Sequence, residues 1–164
     1  MAAHPVCLFP DPILRKTAAL FRLSSKGLSC LIKNLEDTLD AQPCGIGIAA
    51  PQVGESLRVI VVDVSPRDST KRRHIMVNPE LISAEGQLPS REGCMSLPDY
   101  TASLIRAATI TVGWTTPDGR PCRMSTSGIE AVCLQHEIDH LNGVLFIDRV
   151  ACLKTDSFSR RSRL

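Results

Sequence analysis

Gln135-His136-Glu137-Ile138-Asp139-His140 is the stretch whose reading decides the rest of this sequence. Two histidines four residues apart stand one above the other on a helix, because four residues rise about 6 Å and turn only slightly past a full circle. Both imidazoles then leave one face and can hold one cation, with Glu137 beside them to handle a proton on cation-activated water. Upstream, Ser127 and Glu130 match a capping box that would start the helix near Ser127. At about 100° per residue, Ile129, Val132, Cys133, His136 and His140 share one face, and Ala131, Leu134, Ile138 and Leu141 lie opposite. A helix apolar on both sides is enclosed. One side can be core while the other lines an apolar pocket ending at the histidines. The helix should stop by Gly143, with Val144 to Ile147 as a short strand and no pattern beyond Asp148.

Two histidines do not complete a catalytic metal site, so the third ligand matters most. In HExxH metalloproteases it lies downstream, as a glutamate or a further histidine. Here Glu137 is the last glutamate and His140 the last histidine, leaving only Asp148 or Asp156 to substitute. Among the cysteines, Cys94 stands in the Gly-flanked stretch Glu92-Gly93-Cys94-Met95-Ser96, Cys133 precedes His136 by one helical turn, and Cys152 follows His140. A buried cysteine is commonly just a small hydrophobe, so chemistry alone favours Cys94 only modestly.

Earlier in the chain, Pro10-Asp11-Pro12 marks an extended, turn-rich opening. From Ser24 or Ser25 to about Leu39 the apolar residues Leu28, Leu31, Ile32, Leu35 and Leu39 follow a helical period, with a serine available as N-cap. Pro43 closes that helix. Gly45 to Gln52 is rich in small residues, which lets another element approach its backbone. No Lys-Ser/Thr follows the glycines, so this is not a nucleotide-binding loop. Leu57 to Val64 is β-branched and reads as a buried strand, and Arg67 to Arg73 as a charged surface loop. His74 to Asn78 reads as a short strand stopped by Pro79, with His74 structural or exposed. Leu81 to Glu85 pairs next, before the polar stretch from Gly86 to Gly93. Leu104 to Thr115 reads as one long strand, turned by Pro117-Asp118-Gly119 into an antiparallel return over residues 120–125.

A length of 164 residues fits one domain that buries about two-thirds of its extended surface. A net charge of +2 and a hydrophobic fraction of 43% exclude a disordered chain and a strongly basic nucleic-acid binder. Arg160, Arg161 and Arg163 cluster only at the end, as a solvated tail would. Seven cysteines, an odd set without a CxxC pair, argue against a disulfide framework and for a reducing compartment. The opening Met1-Ala2-Ala3-His4-Pro5 lacks a signal-peptide pattern, and no apolar run of roughly 18 residues occurs. A soluble, cytoplasmic protein is expected, although a precursor trimmed of an organellar leader would look the same.

Three stretches resemble the signatures of the peptide deformylase family, in that family's order: Gly45-Ile46-Gly47-Ile48-Ala49-Ala50-Pro51-Gln52, Glu92-Gly93-Cys94-Met95-Ser96, and Gln135 to His140 with Leu141 and Gly143. The resemblance runs from about Cys7 to Arg149. It implies an α+β fold, with antiparallel strands packed around a central C-terminal metal-binding helix. A single catalytic domain would span residues 1–149, followed by a short basic tail over 150–164. It implies a hydrolase that removes the N-formyl group from the initiator methionine of nascent polypeptides and releases formate. Cys94, His136 and His140 would hold one divalent ion per chain, Fe2+ by expectation, with Zn2+, Ni2+ or Co2+ able to substitute, and water in the fourth position. Glu137 would be general base and then acid, with the Gln52 amide and the Met95 backbone N–H as oxyanion donors. Gly47 would pair with the extended peptide. Ile46, Ile129, Val132 and Cys133 would receive the methionine side chain. Arg106 would pair with Asp139 behind the histidines. The implied partners are nascent N-formylmethionyl peptides and, transiently, the ribosome, with neither DNA nor membrane.

Some residues depart from that pattern. Met95 and Ile48 each replace a leucine, conservatively. Thr101 stands where many bacterial members carry an arginine that lines the groove beyond the methionine pocket, which bears on peptide affinity and preference past the first residue. The tail is shorter than the extra helix of the commonest bacterial form, so fewer ribosome contacts are expected with the chemistry intact. Two alternatives remain: a deformylase-like amidase with an altered substrate range, and a non-catalytic protein whose metal is closed off by a fourth ligand such as Cys133 or Cys152.

Overall fold

The computed structural model describes residues 4–23, 26–151 and 157–159. Val59-Ile60-Val61-Val62 is fully buried and lies at the middle of the layers. Side chains alternate across a strand, so Ile60 and Val62 enter one core cluster while Val59 and Val61 enter another. A strand wrapped on both faces has no polar positions to spare, which is why its residues read as a continuous apolar run.

Strands β1 (Gly47–Ala49), β2 (Val59–Val62), β3 (His74–Glu85), β6 (Thr109–Thr115) and β7 (Pro121–Ser127) form a five-stranded sheet in the order β1-β2-β3-β6-β7. Strands β4 (Leu88–Cys94), β5 (Leu97–Arg106) and β8 (Ser157–Ser159) form a second sheet in the order β4-β5-β8. Every neighbouring pair is antiparallel. Helix α1 (Leu28–Asp40) lays Leu31, Leu35 and Leu39 on the Val59 and Val61 side of the large sheet. Each such leucine contributes about 2 kcal/mol by leaving water. Helix α2 (Gly128–Leu141) covers the opposite face, where Ala131, Leu134, Ile138 and Leu141 pack on Ile60, Val62, Met76, Ile110 and Val112. A third cluster joins the small sheet, through Cys94, Leu97, Ala102 and Leu104, to Leu14, Leu145 and Phe146. Strands thus surround the histidine helix in an α+β arrangement.

Several local expectations change. Helix α1 starts at Leu28 with Gly27 as its N-cap at φ 103°, and Ser24 and Ser25 lie outside the described residues. Pro79 does not stop a strand. β3 runs through it at a bulge between Val77 and Glu80, with Asn78 at φ 53°. The Asn78 side chain accepts from Phe21 N at 2.8 Å and donates to Phe21 O at 3.0 Å. A bulge asks for no ladder donor, so proline fits there. The long strand expected over Leu104 to Thr115 is two strands in different sheets, broken at Ala107 and Ala108. There the Gln135 side chain binds Ala107 N and O, both at 3.0 Å, and Gly128 N donates to Ala108 O at 3.2 Å.

The polar Gly86 to Gly93 stretch is largely β4. The expected hairpin is present, with Thr115 opposite Pro121 and Gly119 at φ 90° in the turn. The capping box of Ser127 and Glu130 does not form. The Glu130 carboxylate accepts instead from Thr126 Oγ1 at 2.5 Å and Lys71 Nζ at 2.9 Å, and His74 Nε2 stands 3.6 Å from it. Val144 to Ile147 is not a strand. Phe146–Arg149 makes a 3-10 turn, because the Asp148 carboxylate accepts from Leu145 N at 2.8 Å. Ser157–Ser159 pairs with Tyr100 to Ala102 on β5, where no pattern is visible in the sequence. The arginine cluster at 160–163 lies outside the described residues.

Candidate metal centre and active site

Cys94 ends β4 and is 5% exposed, and His140 in the last turn of α2 is 1% exposed. The Cys94 sulfur lies 3.2 Å from His140 Nε2. The candidate ligand atoms of Cys94, His136 and His140 all fall within 4.8 Å of one another. Ligands around a cation at metal–ligand distances near 2.0–2.3 Å stand roughly 3.5 Å apart, so the donor set fits. The other sequence candidates do not join it. Cys133 Sγ donates to Ile46 O at 3.3 Å. Asp148 serves Leu145 N and Arg15. Cys152 and Asp156 lie outside the described residues. The cysteine left open by residue chemistry is therefore Cys94 on geometric grounds.

Electrostatics prepares the group for a cation. Burial opposes ionisation of Cys94, but His140 and His136 against the sulfur hold the thiol well below its ordinary value. A thiolate is the form that ligates. His136 Nδ1 bonds Glu92 Oε2 at 2.8 Å, which directs the ring's other nitrogen toward the site. Glu92 also accepts from Arg106 Nε at 2.8 Å and Nη2 at 2.9 Å. Against the upward push of burial, bonds from Arg106 and His136 hold Glu92 at about 2. Arg106 Nη1 donates to Asp139 Oδ2 at 2.6 Å, and Arg149 grips the same carboxylate from outside. The expected pairing of Arg106 with Asp139 is thus one part of a longer chain. Glu92 enters the sequence reading only as part of the cysteine signature and Arg149 only as the end of the resemblance, neither with a role. Glu92 had a signal, since it stands two residues before Cys94 and alternation puts both side chains on one face of a strand. Arg149 had none.

Glu137 is 4% exposed, and its Oε2 has no hydrogen-bond partner among the described residues. Burial pushes its carboxyl up to about 7, against the pull of His136 and His140. A buried oxygen without a partner is costly, and a cation-held water is the ordinary remedy. Gln52 is 1% exposed. Its Oε1 accepts from Ala49 N at 2.9 Å, which turns Nε2 to the Cys94 sulfur at 3.5 Å and to Ser96 Oγ at 3.3 Å. Gly47 lies so near α2 that a Cβ on it would stand 2.5 Å from Glu137 Oε1 and 2.7 Å from Cys133 Sγ. An open cavity of about 620 Å³ brings these groups together. Gly47, Gln52 and Met95 line it beside Cys94, His136 and Glu137, and Ile46, Ile129, Val132 and Cys133 form its apolar wall. Arg106 and Asp139 lie elsewhere, bordering a different cavity.

The family model described as polypeptide deformylase matches residues 3–156. The chain belongs to the polypeptide deformylase family. Among curated deformylases, that of Brucella suis biovar 1 is 43% identical over 157 residues, covering 95% of this chain and 89% of its own. That of Desulfotalea psychrophila is 39% identical over 162 residues, covering 98% and 95%. Among solved structures, a peptide deformylase from Legionella pneumophila superimposes with a TM-score of 0.84 at 40% identity, over 93% of this chain and 89% of that one. A class I type b deformylase from Acinetobacter baumannii, solved with Met-Ala-Ser bound, gives 0.83 at 35% identity, over 91% and 99%. The deformylase fold therefore holds for this chain, and Cys94, His136 and His140 could hold the metal on which this family depends.

Proposed function

We propose that this chain removes the N-formyl group from the initiator methionine of nascent polypeptides and releases formate, using one divalent cation on Cys94, His136 and His140. The observation that carries the reading is the convergence of those three ligand atoms within 4.8 Å at the head of an apolar cavity that also holds Glu137 and Gln52. Fe2+ is the ion proposed for the native state, with Zn2+, Ni2+ or Co2+ able to take its place, since one thiolate and two imidazoles suit each of them. A cation held there lowers the pKa of a water toward neutrality and polarises a carbonyl.

The side chains supply the rest. The methionine side chain enters the wall of Ile46, Ile129, Val132 and Cys133, while the substrate backbone pairs with the open edge of β1 at Gly47. Glu137 takes the proton from the attacking water and delivers it to the leaving amine. Gln52 Nε2 and the Met95 N–H meet the charge that grows on the formyl oxygen, where one such donor is worth about 3 kcal/mol. Arg106, through Glu92, keeps His136 in the ligating tautomer, and Asp139 anchors Arg106. The relative from Acinetobacter baumannii with Met-Ala-Ser bound supports a methionyl peptide as the ligand of this cavity. On this reading residues 1–149 carry the catalysis and residues 150–164 are a basic tail whose Ser157–Ser159 segment pairs with β5. The enzyme works in the cytoplasm on chains leaving the ribosome, which it touches transiently. Among the described residues no helix is long and apolar enough to cross a membrane.

Glu137→Ala, prepared with undiminished metal content, is expected to release formate from a formyl-Met peptide about a hundred- to ten-thousandfold more slowly. Undiminished release would overturn the proposal.

A further inference from the structure

The Gln52 amide and the Met95 N–H come from distant parts of the chain, yet both line the active-site cavity. Gln52 sits in the 3-10 turn Ala50–Val53, and Met95 and Ser96 join β4 to β5. The two elements touch where Gln52 Nε2 donates to the buried Ser96 Oγ at 3.3 Å. A third segment joins them through its main chain. Cys7 N donates to Gln52 O at 2.8 Å, and Phe9 N donates to Ser96 O at 2.9 Å. That segment is fastened at both ends. Before it, His4 N donates to Thr38 Oγ1 at 3.1 Å, and after it Asp11 N closes a turn onto Leu8 O at 2.9 Å. Leu8 and Phe9 are 51% and 43% exposed, so burial of their side chains does not account for its course. Its N–H groups do.

We propose that Cys7 and Phe9 are positioning residues, whose main-chain N–H groups form a strap that sets the spacing between the Gln52 amide and the Met95 N–H. The inference rests on the deformylation reading, which makes those two groups the donors to the formyl oxygen. N–H groups two residues apart on an extended chain leave the same side about 7 Å apart, so the strap is a spacer of fixed length. Donors act on charge that develops during the reaction only when they already stand where it appears. A shift of about 1 Å in such a group can cost about a hundredfold in rate. Slackening the strap should therefore lower kcat and leave KM nearly constant, because neither Cys7 nor Phe9 lines the cavity.

The test measures formate release from formyl-Met-Ala by the metal-loaded protein and three variants, each checked for metal content and Tm. Cys7→Pro removes the donor to Gln52 and is expected to lower kcat about tenfold with KM within about twofold. Cys7→Ala keeps that donor and should match wild type. Leu8→Gly keeps both N–H groups but loosens the chain between them, and should lower kcat about threefold. Made in a Gln52→Ala background, Cys7→Pro should change kcat by less than about twofold, since the group it positions is gone. Amide hydrogen exchange on the wild type needs no substitution. The Cys7 and Phe9 amides should exchange about a hundredfold more slowly than that of Leu8, which donates to no group among the described residues. Exchange at Cys7 or Phe9 as fast as at Leu8 overturns the strap, whether or not Cys7→Pro folds. So does a Cys7→Pro kcat equal to that of wild type, or an equal loss with Gln52 already removed. If wild type still releases formate in those cases, the deformylation reading stands by itself. No formate from the wild type overturns both.

Discussion

At the scale of the residue, the candidate site depends on side chains that stand behind its candidate metal ligands. Glu92 is the clearest. It binds His136 on one side and the Nε and Nη2 edge of the Arg106 guanidinium on the other, so one carboxylate orients a candidate metal ligand and partners a buried cation together. In Glu92→Gln the shape remains but the charge is lost. Metal affinity is expected to fall about 10- to 100-fold, measured by competition with a chromophoric chelator. Unchanged affinity would mean that His136 is oriented by helix α2 alone. The sequence held this residue in plain view, two positions before the cysteine, yet motif reading directs attention to the atoms that touch the metal. Alternation along a strand would have named it, had the stretch been recognised as a strand.

At the scale of the element, the closest fit is between β1 and α2. The β1 backbone meets side chains of α2 at Gly47, where any Cβ would collide with Glu137 and Cys133. Gly47→Ala is expected to cost about 1–3 kcal/mol of stability through overpacking, read from urea denaturation. Formate release should drop further than that loss explains, because Glu137, the proposed base, is displaced. Equal activity per folded molecule would show that Glu137 has room to move. Elements were legible where one period governed them. The Leu31, Leu35 and Leu39 face of α1, the two-faced α2 and the run from Val59 to Val62 all follow from spacing. Elements were missed where a tertiary partner overrides local pattern. Pro79 continues β3 because Asn78 reaches across to Phe21. The break between β5 and β6 carries no glycine or proline, and a helix side chain caps it. Strand β4 was hidden because its residues are mostly polar, with Glu92 buried for the sake of the site.

At the scale of the molecule, the candidate ligands belong to two bodies. Cys94 comes from the small sheet, whereas His136 and His140 ride on a helix seated against the large one. A cation gripping all three therefore joins the sheets and stabilises only the folded arrangement. At a free-ion concentration a thousandfold above Kd, loading should add about 4 kcal/mol. Stripping the ion with a chelator under reducing conditions should lower Tm by several degrees, and returning Fe2+ or Zn2+ should restore it. An identical Tm with and without metal would mean that the sheets are locked together by packing alone. The overall class was readable through the resemblance of three stretches to deformylase signatures, and the apolar residues on both sides of the histidine helix said only that this helix is enclosed. The division of the strands into two sheets was not readable, since it depends on contacts more than twenty residues apart.

Gln135 opens the six-residue stretch at the heart of this sequence, yet its amide faces away from the chemistry and clasps the peptide group of Ala107 as a neighbouring strand would. One side chain thus impersonates a length of backbone at the corner where the chain leaves one sheet for the other. The histidines and that corner are consequently riveted to the same helix. Whatever tilts the helix must also unfasten the seam, and the spacing of the candidate ligands inherits the stiffness of a joint one residue from Arg106.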